Sequence, residues 1–376
     1  MSDATPNTLV HWLAEQARQR PAAIALRHKR LGIWQVQSWA QVEAEVRALA
    51  AALRAAGFAA GAQLVIVSRP RPEALYASLA AQWLGGVAAL FDPLDNPEDQ
   101  AAALREAGVA FVLAEGLEEI QRLREAGLQP GWLVYADGRG LADKEVRGQA
   151  LDYALLRTAG AVQEAPQAQA GAPAFAFYRR GEPGVERQLF SHTELLHEGE
   201  RLVQGERLTE REEALAARAF AASGQARYLL APWLLAGFRL NFPERLETCD
   251  QDRRELGPSL VLGTRETYGR LHEQVSRRLP LPGSLRRQLV DWALRPQGSI
   301  AQRLIGGWLV RRPLRDVLGF SRTRVALVVG APLSDEARQL FGGLGVEVRN
   351  WSAAERWQDV RQIPISEWPQ GLLQPA

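Results

Sequence analysis

The chain has 376 residues, 47% of them apolar and 23% charged, which suits a globular protein of two or three packed units or one large α/β body and excludes a mostly disordered, collagen-like or multispan membrane chain. Its 45 Lys and Arg against 43 Asp and Glu leave +2, so there is no global electrostatic case for a nucleic-acid partner. One cysteine, Cys249, excludes an intramolecular disulfide and a Cys-rich metal cage.

Reading along the chain, Met1 to Pro6 carries neither a basic segment nor an apolar run, so no signal peptide is expected. Asn7 or Thr8 can cap a helix through Leu9, Trp12 and Leu13 that stops before Pro21. Residues 22–28 and 33–38 read as strands joined by a tight turn at Gly32. Ser38 followed by Gln41 has capping-box spacing, and Trp39, Val42, Val46, Leu49 and Leu53 form the apolar face of the helix it opens. Strands at 63–68, 87–91, 110–114 and 132–136 alternate with helices at 72–84, 97–107 and 117–126. Strands separated by helices of this length predict parallel β-α-β units covered on both faces.

Residues 161–173 are rich in Ala, Gln, Gly and Pro and are expected to link a first lobe, 1–160, to a second, 174–355, with a tail at 356–376. The second lobe is expected to hold strands near 174–178, 259–262, 324–329 and 346–349. The longest apolar run, 228–238, is too short to span a bilayer, and a cytoplasmic location is expected. Within 281–316, Ile300, Leu304, Ile305, Trp308 and Leu309 form one apolar stripe, with seven arginines, two aspartates and Trp292 around it. The stripe fits either a lipid or granule surface or a core-packing helix pair with snorkelling arginines.

The order of segments resembles the AMP-forming, long-chain fatty acyl-CoA synthetase-like enzymes of the adenylate-forming ligase superfamily. The resemblance rests on Arg20-Pro21-Ala22-Ala23-Ile24, Ser38-Trp39-Ala40-Gln41-Val42, Arg71-Pro72-Glu73, Gly85-Gly86-Val87, Phe91-Asp92-Pro93 and Gly330-Ala331-Pro332-Leu333-Ser334. It implies an α/β fold of two stacked Rossmann-like parallel-sheet lobes. It also implies where a nucleotide site would lie: Arg179, Arg180, Gly181, Gly184 and Arg187 in the phosphate loop, Gly330 and Ala331 after a strand, and Trp351 and Glu355 in the adenine and magnesium motif.

The chemistry at those positions departs from the family pattern. The family loop is rich in Ser, Thr and Gly and ends in a lysine, whereas this stretch reads Tyr178-Arg179-Arg180-Gly181-Glu182-Pro183-Gly184-Val185-Glu186-Arg187. Its hydroxyls are gone, and Arg187 or, without a gap, Glu186 takes the lysine position. Charge-assisted bonds are worth about 1.5–3 kcal/mol each, so losing two or three weakens triphosphate binding about 100-fold or more. The Tyr-Gly-Xaa-Thr-Glu motif has become Trp351-Ser352-Ala353-Ala354-Glu355, without the Thr, and Glu355 alone is a poor Mg²⁺ site. The family's mid-lobe His is replaced around Ala219-Phe220-Ala221, and His192 and His197 read as ordinary residues without metal-ligand spacing.

Any chemistry that needs a lysine must use Lys29 or Lys144, the only two present. Only 21 residues follow Glu355, so no ribose-binding strand, hinge or C-terminal domain is expected.

The expectation is a catalytically degenerate relative with no catalytic residues, metal or cofactor. Its role would be to bind or scaffold a partner such as an active acyl-CoA synthetase or another lipid-metabolic protein. The alternatives are an active fatty acyl-CoA ligase subunit completed by a separate chain, which would use ATP and Mg²⁺, and a peripheral acyl or lipid-surface module acting through 281–316.

Overall fold

The computed structural model describes residues 6–141, 150–157, 160–182, 184–218, 220–295, 300–352 and 355–362. Lys144, Pro183, Ala219, Ala353, Ala354, the side chain of Ile300 and most of the expected tail lie outside the described residues.

The first half follows the predicted alternation closely. Helix α1 (Leu9–Gln19) is capped by Thr8, whose hydroxyl accepts from the His11 amide. Strands β1 (Ile24–Arg30) and β2 (Ile33–Ser38) form a hairpin. Its turn places Leu31 and Gly32 at φ of 50° and 76°, a left-handed pair that suits a tight hairpin. Both turn amides donate to the Glu244 carboxylate at 2.9 Å. The Ser38–Gln41 capping box opens α2 (Trp39–Ala55). Then follow β3 (Gln63–Val67), α3 (Pro72–Trp83), β4 (Val87–Phe91), α4 (Pro97–Ala107), β5 (Phe111–Ala114), α5 (Leu117–Glu125), β6 (Trp132–Tyr135) and β7 (Leu151–Asp152).

The remaining strands are β8 (Pro173–Arg180), β9 (Val185–Ser191), β10 (Glu213–Leu215), β11 (Arg239–Phe242), β12 (Leu260–Gly263), β13 (Val325–Val329), β14 (Val348–Trp351) and β15 (Gln358–Asp359). They build two mixed, mostly parallel sheets. One has the order β14-β13-β12-β10-β11-β1-β2, the other β15-β9-β8-β4-β3-β5-β6-β7.

The sheets do not divide at 161–173. The β1–β2 hairpin belongs to the sheet of the second half, through β1 and β11, and β8–β9 belong to that of the first half, through β4 and β8. Nor is 161–173 a free linker. Arg47 donates to the Val162 carbonyl at 2.7 Å, the Trp83 indole donates to the Glu164 carbonyl, and the Gln167 amide donates to the Trp83 carbonyl. Polar composition predicted a loop, and it is one, but its backbone groups are spent on α2 and α3.

The layers follow from strand periodicity. Leu64 and Ile66 of β3 face one cluster, and Val65 and Val67 face another, so both faces are buried. The first cluster also takes Leu26, Leu240, Leu260 and Leu327 from the other sheet. Helices α1, α2, α3, His192–Glu206 and Ala231–Ala236 therefore lie in a layer shared by both sheets. Trp39 and Trp233 stack there with centroids 4.6 Å apart, and the Trp233 indole donates to the Ala25 carbonyl. Tyr268, Phe320 and Phe341 cover the outer face of β13, where Ala326 and Val328 point.

His192 sits inside the shared layer, 1% exposed, and its Nδ1 accepts from the Leu9 amide at 3.3 Å. Burial pushes its pKa down to about 4. A histidine depressed in the folded state gives its full stability above its unfolded pKa near 6.5 and loses it as pH falls through about 4, a swing on the order of 3 kcal/mol. Denaturant unfolding across pH 4–7 should therefore show a steeper loss for the wild type than for His192→Asn, which keeps an acceptor but does not titrate. Parallel curves would contradict this.

Candidate functional site

The carboxyl ends of β3, β5 and β6 in one sheet meet that of β11 in the other at one crevice. Within it, β3 connects to β4 on one side and β5 connects to β6 on the other, the reversal point at which open α/β sheets leave a cleft. A cavity of about 460 Å³ lies there, lined by Arg69, Arg71, Glu115 and Arg139 from one sheet and by Glu244 and Arg245 after β11.

The residues expected in a phosphate loop do not form an open loop. They are the two arms and the turn of the β8–β9 hairpin, paired from Phe175 with Phe190 to Arg180 with Val185. The Gly181 amide donates to the Gly184 carbonyl at 2.7 Å, and the Gly184 amide donates back to the Gly181 carbonyl at 3.3 Å. Both glycine amides are thus turned on each other. Gly184 has φ of 148°, and a Cβ there would lie 3.1 Å from the Arg361 guanidinium. Its glycine is explained by the turn and by this packing. β15 adds a third strand, pairing Gln358 with Arg187 and Asp359 with Glu186.

The side chains follow the same pattern. Arg179 donates to Glu186 at 2.7 Å, lies 3.7 Å from Glu355 and stacks over Trp357 with its guanidinium 4.2 Å from the ring centroid. Arg180 is exposed. Arg187, at the position of the family lysine, is 3% exposed and lies against the Tyr178 hydroxyl. Its guanidinium is therefore packed in the hairpin rather than offered to the crevice. In the ungapped alignment Glu186 takes that position, and it is held by Arg179.

Glu355 accepts from the Trp357 indole at 2.8 Å. Trp351 is half-buried; its indole donates to Glu206 at 3.0 Å, and its ring meets Tyr228 edge-on. Gly330 and Ala331 follow β13 as exposed residues. The structure thus brings Arg179, Glu186, Glu355 and Trp357 together as one paired cluster. Gly330 and Ala331 lie at the carboxyl end of β13, an inner strand of the other sheet. Among the described residues no group of three or more His, Cys, Asp or Glu side chains is placed to hold a metal ion.

The arginines of the crevice were not singled out from the sequence. Arg69 pairs with Glu115 at 2.9 Å, and Arg71 lies 3.2 Å from Glu73, 3.6 Å from Glu115 and 3.5 Å from Asp137. Asp137 is pulled down to about 2, chiefly by the Arg139 hydrogen bond. The available signal was positional, since Arg69 and Arg71 follow β3 directly and Glu115 follows β5. Arg69, Arg71 and Arg139 are balanced by carboxylates, so this side of the crevice is an ion-pair network; Arg245 on the other side is exposed and has no ion-pair partner among the described residues.

Lys29 is equally committed. It is 7% exposed, lies 2.9 Å from Asp252, also pairs with Glu255, and sits under Trp34 at 5.5 Å. Asp252 is 1% exposed. Lys29→Met leaves that carboxylate buried without its cation and should cost roughly 3 kcal/mol by chemical denaturation, with part recovered in Lys29→Met/Asp252→Asn. An unchanged unfolding midpoint would contradict the assignment.

The AMP-binding enzyme family model matches residues 13–350. The chain is 38% identical over 87 residues to the medium/long-chain-fatty-acid–[acyl-carrier-protein] ligase FadD10 of Mycobacterium tuberculosis (strain ATCC 25618 / H37Rv), covering 23% of this chain and 16% of that protein. It is 38% identical over 92 residues to the fatty acid–[acyl-carrier-protein] ligase MmaC of Mycobacterium marinum, covering 24% and 17%. The matched stretches thus span less than a fifth of these relatives' length. The adenylation domain of a carboxylate reductase from Mycobacterium chelonae superposes with a TM-score of 0.71 at 15% identity, over 94% of this chain and 58% of that one. A benzoate CoA ligase from Burkholderia xenovorans LB400 gives 0.67 at 17%, over 92% and 61%. At such identities the likeness shows the fold alone.

Proposed function

This chain belongs to the AMP-binding enzyme family, and from that premise we propose that it is a catalytically degenerate member that keeps the adenylate-forming scaffold without nucleotide activation. Its role is to bind or scaffold a partner in fatty-acyl metabolism, such as an active acyl-CoA synthetase. The partial likeness to two fatty acid–[acyl-carrier-protein] ligases supports the fatty-acyl setting.

The observation that carries the reading is the turn of the β8–β9 hairpin. A phosphate cradle needs backbone amides pointing at the ligand and a cation beside them. Here the Gly181 and Gly184 amides bond to each other's carbonyls, and Arg187 is buried. Arg179 is held by Glu186, Glu355 and the Trp357 ring. Freeing Arg179 for a phosphate means breaking contacts that are already made. Without those donors, triphosphate affinity falls by about 100-fold or more relative to an intact cradle, at about 1.5–3 kcal/mol for each charge-assisted bond.

Equilibrium titration with ATP and Mg²⁺ tests this without depending on turnover. The expected result is no saturable binding below about 1 mM, equivalent to less than about 4 kcal/mol. ATP–pyrophosphate exchange with a fatty acid is expected at background. Micromolar ATP binding that Arg179→Ala or Arg180→Ala weakens would overturn the proposal and favour an active ligase subunit.

A further inference from the structure

The segment predicted as an apolar stripe packs by only one face. The helices Leu285–Leu294 and Ile300–Gly306 approach closely at Ala293 and Gly306, where a Cβ on the glycine would lie 3.0 Å from that of Ala293. Arg311 ties the pair by donating to the Ala293 carbonyl at 2.8 Å, and Val310 and Leu318 are buried. The chain passes through a π-helical turn, Gly307–Arg311, into the helix Arg312–Leu318. The other face is open. Leu281 is 81% exposed, Leu285 83%, Leu304 70% and Trp308 70%, with Ile305 and Leu309 beside them at about half. Core packing does not account for these side chains.

Charge distinguishes this face from the rest of the molecule. Residues 281–316 hold seven arginines against two aspartates, a net +5, and since the whole chain is +2 the remainder carries −3. Arg287 pairs with Asp291. Arg286, Arg295 and Arg312 are exposed and have no ion-pair partner among the described residues. From exposed leucines and a tryptophan set among unpaired arginines, we infer that this helical face docks on an anionic lipid surface.

Leucine and tryptophan side chains enter the boundary between headgroups and acyl chains, while the arginines stay at headgroup level and pair with lipid phosphate and carboxylate. A second copy of the chain is the weaker occupant. A two-fold contact sets the same patch against itself and brings the unpaired arginines of both copies together. The helices lie along the surface; no helix among the described residues is long and apolar enough to cross a membrane. The inference does not depend on the nucleotide reading and stands or fails separately from it.

Co-sedimentation with vesicles of phosphatidylcholine and phosphatidylserine, beside vesicles of phosphatidylcholine alone, tests it on the full chain. The wild type is expected to sediment with the anionic vesicles and far less with the neutral ones. Leu304→Asp/Trp308→Asp and, separately, Arg286→Glu/Arg312→Glu should each weaken partitioning about tenfold or more. Leu31→Asp, an exposed apolar site on the β1–β2 turn, should match the wild type. Far-ultraviolet circular dichroism confirms that each variant is folded. No sedimentation of the wild type, equal sedimentation with both vesicle types, or unchanged binding by folded Leu304→Asp/Trp308→Asp would overturn the inference. So would a dimer in sedimentation velocity that this variant abolishes while the wild type ignores vesicles.

Discussion

A single layer of helices covers the inner faces of both sheets, and the rest of the architecture is arranged around that constraint. Each sheet has to be apolar on two faces, which is why β3 and β4 are buried at every position. The shared layer has to be apolar nearly all round, which is why every residue of α3 except Glu73 is buried. The Trp39–Trp233 stack and the buried His192 lie in this layer. Cavities there are expensive, and removing an aromatic of this size typically costs about 3–5 kcal/mol. Residues from both ends of the chain are therefore needed to close one core, and the two sheets are fixed against each other.

Fixing the sheets brings their carboxyl edges together at the crevice, where ligands of such folds bind. Most of the charge this chain places there is internally paired, with Arg245 the exception among the lining arginines. Arg69, Arg71 and Arg139 meet Glu115, Glu73 and Asp137. Arg179 meets Glu186, Glu355 and Trp357. The hairpin turn closes on its own amides. Each arginine placed against carboxylates in this way holds the fold, and a ligand would have to compete with a partner already in contact. The face formed by 281–316 is the opposite case, since Leu281, Leu285, Leu304 and Trp308 are exposed and Arg286, Arg295 and Arg312 have no ion-pair partner among the described residues.

Much of the fold was legible because local signals agreed with tertiary demand. Ser38 with Gln41 gave the start of α2, Pro97 that of α4, and short apolar runs gave β3 and β4. Sheet membership was not legible, because nothing in the sequence of β1 says that its parallel neighbour is β11, about two hundred residues away. β10 was missed for its shortness and because its first residue, Glu213, is polar; that carboxylate is buried against Arg239 and Arg322. β9 was read as loop because Glu186, Arg187 and Gln188 are polar, yet all three are paired within a sheet. For the site, the loss of hydroxyls and of the lysine could be read directly. The burial of Arg187 and the mutual bonding of Gly181 and Gly184 could not, since both depend on the hairpin register.

Hydrogen exchange read by mass spectrometry on peptides covering 177–189, with and without ATP and Mg²⁺, reports most directly on whether this turn is closed. The account predicts slow exchange at the β8–β9 turn that nucleotide leaves unchanged. Fast exchange in the free protein that becomes slow when ATP is added would show amides available to phosphate, and would contradict it.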